Sequence, residues 1–139
     1  MKIDFSLNGE AATVEAEATS RLLDILREEL GLKGPKEGCG EGECGACSVV
    51  MDGLLVNSCL IPMAQVEGAE VITIDWLKET KAGKLIIESF AAAHSVQCGF
   101  CTPGMVMAVW GLLKQNPDPD EAEIRHSISG NICRCTGYD

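Results

Sequence analysis

Eight cysteines carry most of the chemistry this chain can do; they stand at positions 39, 44, 47, 59, 98, 101, 133 and 135. The first set runs Cys39-x4-Cys44-x2-Cys47-x11-Cys59. Its x4, x2 opening is the rhythm of thiolates around a 2Fe–2S core. The local sequence GCGEGECGAC adds a physical reason. Gly38, Gly40, Gly42 and Gly45 let the backbone wrap closely, and successive N–H groups in such a loop can offset the negative charge of a cluster. A tight zinc loop is the competing reading, but dense glycine with x4-x2 spacing is poorly explained by a zinc ribbon.

The second set runs Cys98-x2-Cys101-x31-Cys133-x1-Cys135, within QCGFCTPG and NICRCTG. Cys98 and Cys101 precede a predicted helix N-terminus, which favours negative charge on a thiolate or cluster. Gly130 and Asn131 can turn the chain so that Cys133 and Cys135 meet them, with Arg134 between. Four cysteines in two pairs also suit zinc, so spacing alone leaves both metals open here. A redox dithiol at Cys98 and Cys101 would need a preceding strand, and a helical segment precedes it instead.

Other motifs carry less. Gly40-x-Gly42-x-x-Gly45 matches the dinucleotide fingerprint, but Cys44 lies inside it and a strand follows rather than a helix. His94 and His126 are the only histidines, and neither has a Cys-x-His spacing, so a Rieske centre fails. Asp118, Asp120, Glu121 and Glu123 lack the glycine and terminal glutamate of a calcium loop and read as helix-start acids. No nucleophile–base pair is visible, so no catalytic residue is assigned.

The elements that must position the cysteines change period midway. Ile3, Phe5 and Leu7 alternate with polar residues, turn at Asn8-Gly9 and return through Val14, Ala16 and Ala18. Ser20 is placed to cap a helix striped by Leu22, Leu23, Leu26 and Leu30 and closed by Gly31. SVVMDGLLVN reads as a second hairpin at Asp52-Gly53, and Glu70 to Ile74 as a last strand. That order predicts a small sheet curled over one helix, a β-grasp. After a polar boundary at Trp76 to Lys84, helices are predicted over Leu85 to Ala93, Pro103 to Gln115 and Asp120 to Ser129. Thr102 is the expected cap of the middle one, with Pro103 at its first helical position. Its nearly all-round apolar surface predicts burial.

The 139 residues carry 11 Lys plus Arg against 21 Asp plus Glu, a net charge of −10. Such a chain is a poor phosphate-neutralising nucleic-acid binder. The longest apolar run, Gly104 to Leu113, is too short for a membrane span, and MKIDFSLNGE lacks the apolar core of an export signal. A cytoplasmic protein with reduced thiols is the expectation, which favours metal ligation over disulfides. Each half is small enough for a metal staple to matter.

QCGFCTPGM and GNICRCTGY, with GCGEGECGACSV upstream, resemble the small iron–sulfur subunit of the molybdenum hydroxylases, the family of xanthine dehydrogenase, aldehyde oxidoreductase and carbon monoxide dehydrogenase. The resemblance spans essentially the whole chain. Ser48 stands where that family usually has threonine, and Ile132 where it has leucine. The resemblance implies an α+β chain: a plant-type ferredoxin β-grasp domain over 1–76, then an all-α helical-bundle domain over 77–139, each with one 2Fe–2S cluster. It implies that Cys98, Cys101, Cys133 and Cys135 lie beside a molybdopterin on a large partner subunit, with Gln97 and Cys135 against the pterin. Cys39, Cys44, Cys47 and Cys59 would face an FAD-binding medium subunit or an external acceptor. The expected function is electron transfer from molybdenum through both clusters toward flavin or another acceptor. A free two-cluster ferredoxin and a zinc-stapled interaction module are the alternatives.

Overall fold

The structure is a computed structural model and describes residues 1–138. Strands β1 (Lys2–Leu7) and β2 (Glu10–Glu15) form an antiparallel hairpin that sets Ile3 opposite Val14. Both residues of its Asn8-Gly9 turn have positive φ, the twist-matched geometry for a two-residue turn. Strands β3 (Ser48–Met51) and β4 (Leu54–Asn57) repeat the device at Asp52-Gly53. Strand β5 (Glu70–Ile72) lies between the hairpins, parallel to β1 and antiparallel to β3, which gives a mixed five-stranded sheet ordered β2-β1-β5-β3-β4.

Helix α1 (Leu22–Asp24) continues as a wider π turn over Ile25–Glu29. Leu22, Leu23, Ile25 and Leu26 are buried, and all but Leu23 join Ile3, Phe5, Val14 and Val71 in one core. Gly31, at positive φ, ends the segment as its sequence position predicts. The expected Ser20 cap does not form. Arg21 holds the cap position, and the Ser20 carbonyl accepts from the Met63 N–H at 2.8 Å instead.

Beyond the sheet come α2 (Ile74–Leu77), α3 (Lys81–Ala92), α4 (Thr102–Gln115) and α5 (Glu121–Ser127). The last strand stops at Ile72 because Thr73 starts α2, which occupies part of the predicted polar boundary. Helix α3 begins at Lys81 rather than Leu85, since the Thr80 hydroxyl accepts from the Gly83 N–H at 3.0 Å and caps a turn that has little apolar periodicity. Cys101, not Thr102, holds the cap position of α4, so Pro103 stands second in the helix rather than first, still within the turn whose N–H groups lack helical partners. Asp120 caps α5, and that helix closes at Ser127.

Helix α4 is the centre of the second half and packs on α2, α3, α5 and the β3–β4 hairpin. Met105, Val106, Met107 and Ala108 are buried, whereas Val109, Trp110, Leu112 and Leu113 are only partly covered. Val50 and Ile72 from the sheet share a core with Ile74, Leu77, Ile86, Val106 and Met107. The helices are therefore fastened to the sheet by apolar burial, at roughly 1.5–3 kcal/mol per fully buried large side chain. That contact fixes one set of cysteines against the other.

Candidate metal centres

The loop between α1 and β3 carries Cys39, Cys44 and Cys47, and the turn after β4 carries Cys59. Cys39 Sγ accepts backbone N–H groups of Glu41, Glu43 and Cys44 at 3.3, 3.2 and 3.4 Å. Cys44 Sγ accepts those of Cys39 and Ala46 at 3.3 and 3.5 Å. This is the concave donor loop that the glycine spacing predicts. Outside it, the Arg21 guanidinium bridges Asp24 and Glu37 at 2.7 and 3.1 Å, which ties the approach to Cys39 onto α1. On the inner side the Ser58 hydroxyl donates to the Cys47 carbonyl at 2.7 Å, and Leu23 packs on the buried Cys47 and Cys59.

The second set gathers at the start of α4. Cys98 is exposed and Cys101 half-buried in the turn that enters the helix, while Cys133 is buried and Cys135 exposed. The Thr136 hydroxyl donates to Cys133 Sγ at 3.2 Å, and the Thr136 N–H does so at 3.4 Å. The Cys133 N–H donates to the Tyr138 hydroxyl at 2.6 Å, and that hydroxyl donates to the Asn131 carbonyl at 3.3 Å. Gln97 is exposed one residue before Cys98. It lies in the segment between α3 and α4.

Electrostatics separate the thiols. Backbone N–H donors pull Cys39 down to about 7 from an ordinary thiol value of 9.0. Donation from Thr136, hydroxyl first, does the same for Cys133. Burial, followed by contact with a neighbouring thiol, pushes Cys59 and Cys101 up to about 11. Contact with the Cys98 thiol raises Cys135. All four thiols of a set become thiolates only when metal supplies the opposing charge.

The thiols meet in pairs: Cys39 with Cys44, Cys47 with Cys59, Cys101 with Cys133, and Cys98 with Cys135. A binuclear core needs this pattern, because each of its two irons takes two cysteines. Four thiols per site, with backbone N–H donors turned toward those of the first set, fit a 2Fe–2S cluster.

The two sets are neighbours. A cleft of about 160 Å³ is lined by Cys44 together with Cys98, Cys101, Cys133 and Cys135. The Ile132 N–H donates to the Cys44 carbonyl at 2.8 Å. The buried Asn131 amide donates to the Gly45 carbonyl at 3.1 Å, and the Ser48 hydroxyl donates to the same oxygen at 2.7 Å. A Cβ on Gly104 would collide with that carbonyl, so only glycine lets α4 approach so closely. A separate cavity of about 500 Å³ between β4, α4 and α5 is lined by Leu55, Ala108, Leu112 and His126 among others, and by no cysteine.

Sequence reasoning missed Asn131 as a joint between the sets, and missed Ser48, Gly104, Thr136 and Tyr138 altogether as supporting groups. A hydroxyl residue three positions past a cysteine was a visible signal for Thr136. Nothing local marks Asn131, whose partner is 86 residues away.

Comparison with known proteins agrees with the geometry. Residues 5–71 match the model of a 2Fe-2S iron-sulfur cluster binding domain, and residues 73–139 that of a 2Fe-2S binding domain. The nicotinate dehydrogenase small FeS subunit of Eubacterium barkeri is 47% identical over 136 residues, covering 98% of this chain and 87% of that protein. Quinoline 2-oxidoreductase from Pseudomonas putida 86 contains a chain with a TM-score of 0.92 and 40% identity, covering 100% of this chain and 86% of that one. Aldehyde oxidoreductase from Desulfovibrio gigas matches with a TM-score of 0.92 and 37% identity, over 99% of this chain and 16% of its own length. With two thiol quartets, two matching domain models and these relatives, the chain belongs to the small, two-cluster iron–sulfur subunits of the molybdenum hydroxylase family.

Proposed function

We propose that this chain receives electrons from a molybdenum centre on a large, molybdopterin-binding partner and passes them to an FAD-binding medium subunit. Cys98, Cys101, Cys133 and Cys135 hold the first station, and Cys39, Cys44, Cys47 and Cys59 the second. A bound 2Fe–2S cluster supplies each station with one reversibly held electron. The chain supplies the rest. Backbone N–H groups aimed at Cys39 and Cys44 stabilise the added negative charge, which raises the potential of the N-terminal station and sets the direction of flow.

The carrying observation is the hydrogen bond from the Ile132 N–H to the Cys44 carbonyl. It links the residue beside ligand Cys133 directly to ligand Cys44, so electrons cross between stations without a solvent gap. Cys98 and Cys135 are the entry side, with Gln97 and Cys135 against the pterin; the exposed Cys39 is the exit. In this reading residues 1–76 form a β-grasp ferredoxin domain, supported by α1 packed on a sheet whose central β1–β5 pair is parallel. Residues 77–139 form a helical domain built on α3, α4 and α5. A cytoplasmic location accords with this role, and no helix among the described residues is long and apolar enough to cross a membrane.

A free carrier is the weaker reading. Val96, Phe100 and Ile132 are 40%, 47% and 53% exposed beside the entry cysteines. An apolar rim of that kind suits a covered interface. The test is to purify the tagged chain natively from its own cell. Two larger chains bearing molybdenum and FAD should accompany it, and anaerobic addition of nicotinate or a related N-heterocycle should bleach the iron–sulfur absorbance. A chain that purifies alone with both clusters intact contradicts the subunit reading.

A further inference from the structure

We propose that Thr136 sets the reduction potential of the C-terminal cluster through a hydroxyl hydrogen bond to the Cys133 thiolate. This rests on the assignment of Cys133 as a ligand. The proton of that hydroxyl has a defined direction. The Tyr138 N–H donates to Thr136 Oγ1 at 3.2 Å, occupying one oxygen lone pair, and Cys133 Sγ lies 3.2 Å from the same oxygen. The hydroxyl is thereby oriented to donate to sulfur. Thr136 is half-buried and Cys133 is 9% exposed, so bulk water competes little for this bond.

The surrounding turn holds the donor in place. Tyr138 closes it twice, by its N–H on Thr136 and by its hydroxyl, which accepts from the Cys133 N–H at 2.6 Å. Tyr138 and Gly137 both take positive φ, which bends the chain back over Cys133. Among the described residues, Thr136 is the only side chain hydrogen-bonded through oxygen or nitrogen to a cysteine sulfur of the second set. It is therefore a side-chain control where backbone donors predominate at the first set.

The redox consequence follows from charge. Reduction places one electron on the cluster and adds one negative charge shared with its thiolates. A hydrogen bond to a thiolate strengthens as that charge grows. Thr136 thus favours the reduced form and raises the potential. Its removal should shift the oxidised–reduced equilibrium by roughly five- to tenfold toward the oxidised form, about 40–60 mV downward for one electron. Thr136 acts through Cys133 and is a positioning residue, not a catalytic one.

The experiment is a reductive titration of the complex, followed by EPR, for the unsubstituted chain and for Thr136→Val and Thr136→Ser. Thr136→Val should lower one midpoint by about 40–60 mV and leave the other in place, and Thr136→Ser should stay within about twofold, roughly 20 mV, of the original. Equal midpoints in all three proteins, or a serine variant that shifts as far as valine, would overturn the proposal. If valine does not retain the cluster, Thr136→Ala is titrated in its place. Loss of the cluster from both, with retention in serine, would show that the hydroxyl serves assembly and would also overturn it. Absence of any cluster signal in the unsubstituted complex defeats the ligand assignment instead, so the two failures are distinguishable.

Discussion

The side-chain amide of Asn131 reaches across 86 residues of sequence to donate to the Gly45 carbonyl at 3.1 Å, inside a region closed to solvent. Gly45 follows Cys44 directly, and Asn131 lies two residues before Cys133. Beside the apolar α4–sheet contact, this amide therefore ties together the segments that carry the two thiol sets, with Ser48 bonded to the same carbonyl and Gly104 packed against it.

Replacing Asn131 should loosen that joint without emptying either site. Asn131→Ala is expected to destabilise the chain by about 1–3 kcal/mol, the usual range for a lost buried hydrogen bond. Ser48 still satisfies the carbonyl, which places the effect toward the lower end. Denaturant unfolding measures this. Low-temperature EPR of the reduced protein should also show weaker magnetic coupling between the clusters. An unchanged coupling would mean that the apolar α4–sheet contact alone sets their separation.

Much of this site was legible because metal ligation constrains spacing tightly. The x4-x2 and x2/x1 intervals sort eight cysteines into two proposed quartets, and the Cys44–Ile132 hydrogen bond joins the segments that carry them. Which thiols pair within each quartet was not legible, since Cys59 and Cys133 arrive from distant segments. Strand alternation and the Asn8-Gly9 and Asp52-Gly53 signals located both hairpins. Helix starts were harder, because caps compete with tertiary partners. Arg21 displaced Ser20 at the cap of α1 with its guanidinium engaged by Asp24 and Glu37. Thr80 extended α3 through residues with no apolar stripe.

The thiols of the metal-free chain should react unequally. Cys39 is exposed and lowered to about 7, whereas Cys59 and Cys101 are raised to about 11. At pH 8 the first is mostly thiolate and the others almost wholly protonated, so alkylation should label Cys39 on the order of a hundredfold faster or more. The linkage signs are opposite. Ionised Cys39 stabilises the metal-free fold above its ordinary value of 9.0, and that contribution fades as pH falls through about 7. Protonated Cys59 and Cys101 stabilise it below 9.0, and that is lost as pH rises through about 11. Mass spectrometry of partially alkylated protein checks the order, and early labelling of Cys59 would contradict it.

Gln97 presents an exposed amide beside the exposed Cys98 on the proposed entry side. An amide carries donors and an acceptor, which matches the mixed edge of a pterin. Gln97→Ala should leave both clusters assembled and lower molybdenum-cofactor retention or molybdenum-to-cluster transfer by roughly five- to 150-fold, equivalent to about 1–3 kcal/mol. Metal analysis and pre-steady-state reduction measure the two quantities. Unchanged values in both would remove Gln97 from the pterin contact.

The most direct test of two separate clusters on one chain combines metal analysis with a single ligand substitution. The unsubstituted chain should hold about four iron and four labile sulfide and give two distinct EPR signals on reduction. Cys47→Ser breaks the Cys47–Cys59 pair, so it should abolish one signal and leave the second, from the Cys98, Cys101, Cys133 and Cys135 site, at full intensity. Stoichiometric zinc without visible absorbance, or loss of both signals together, would contradict the account.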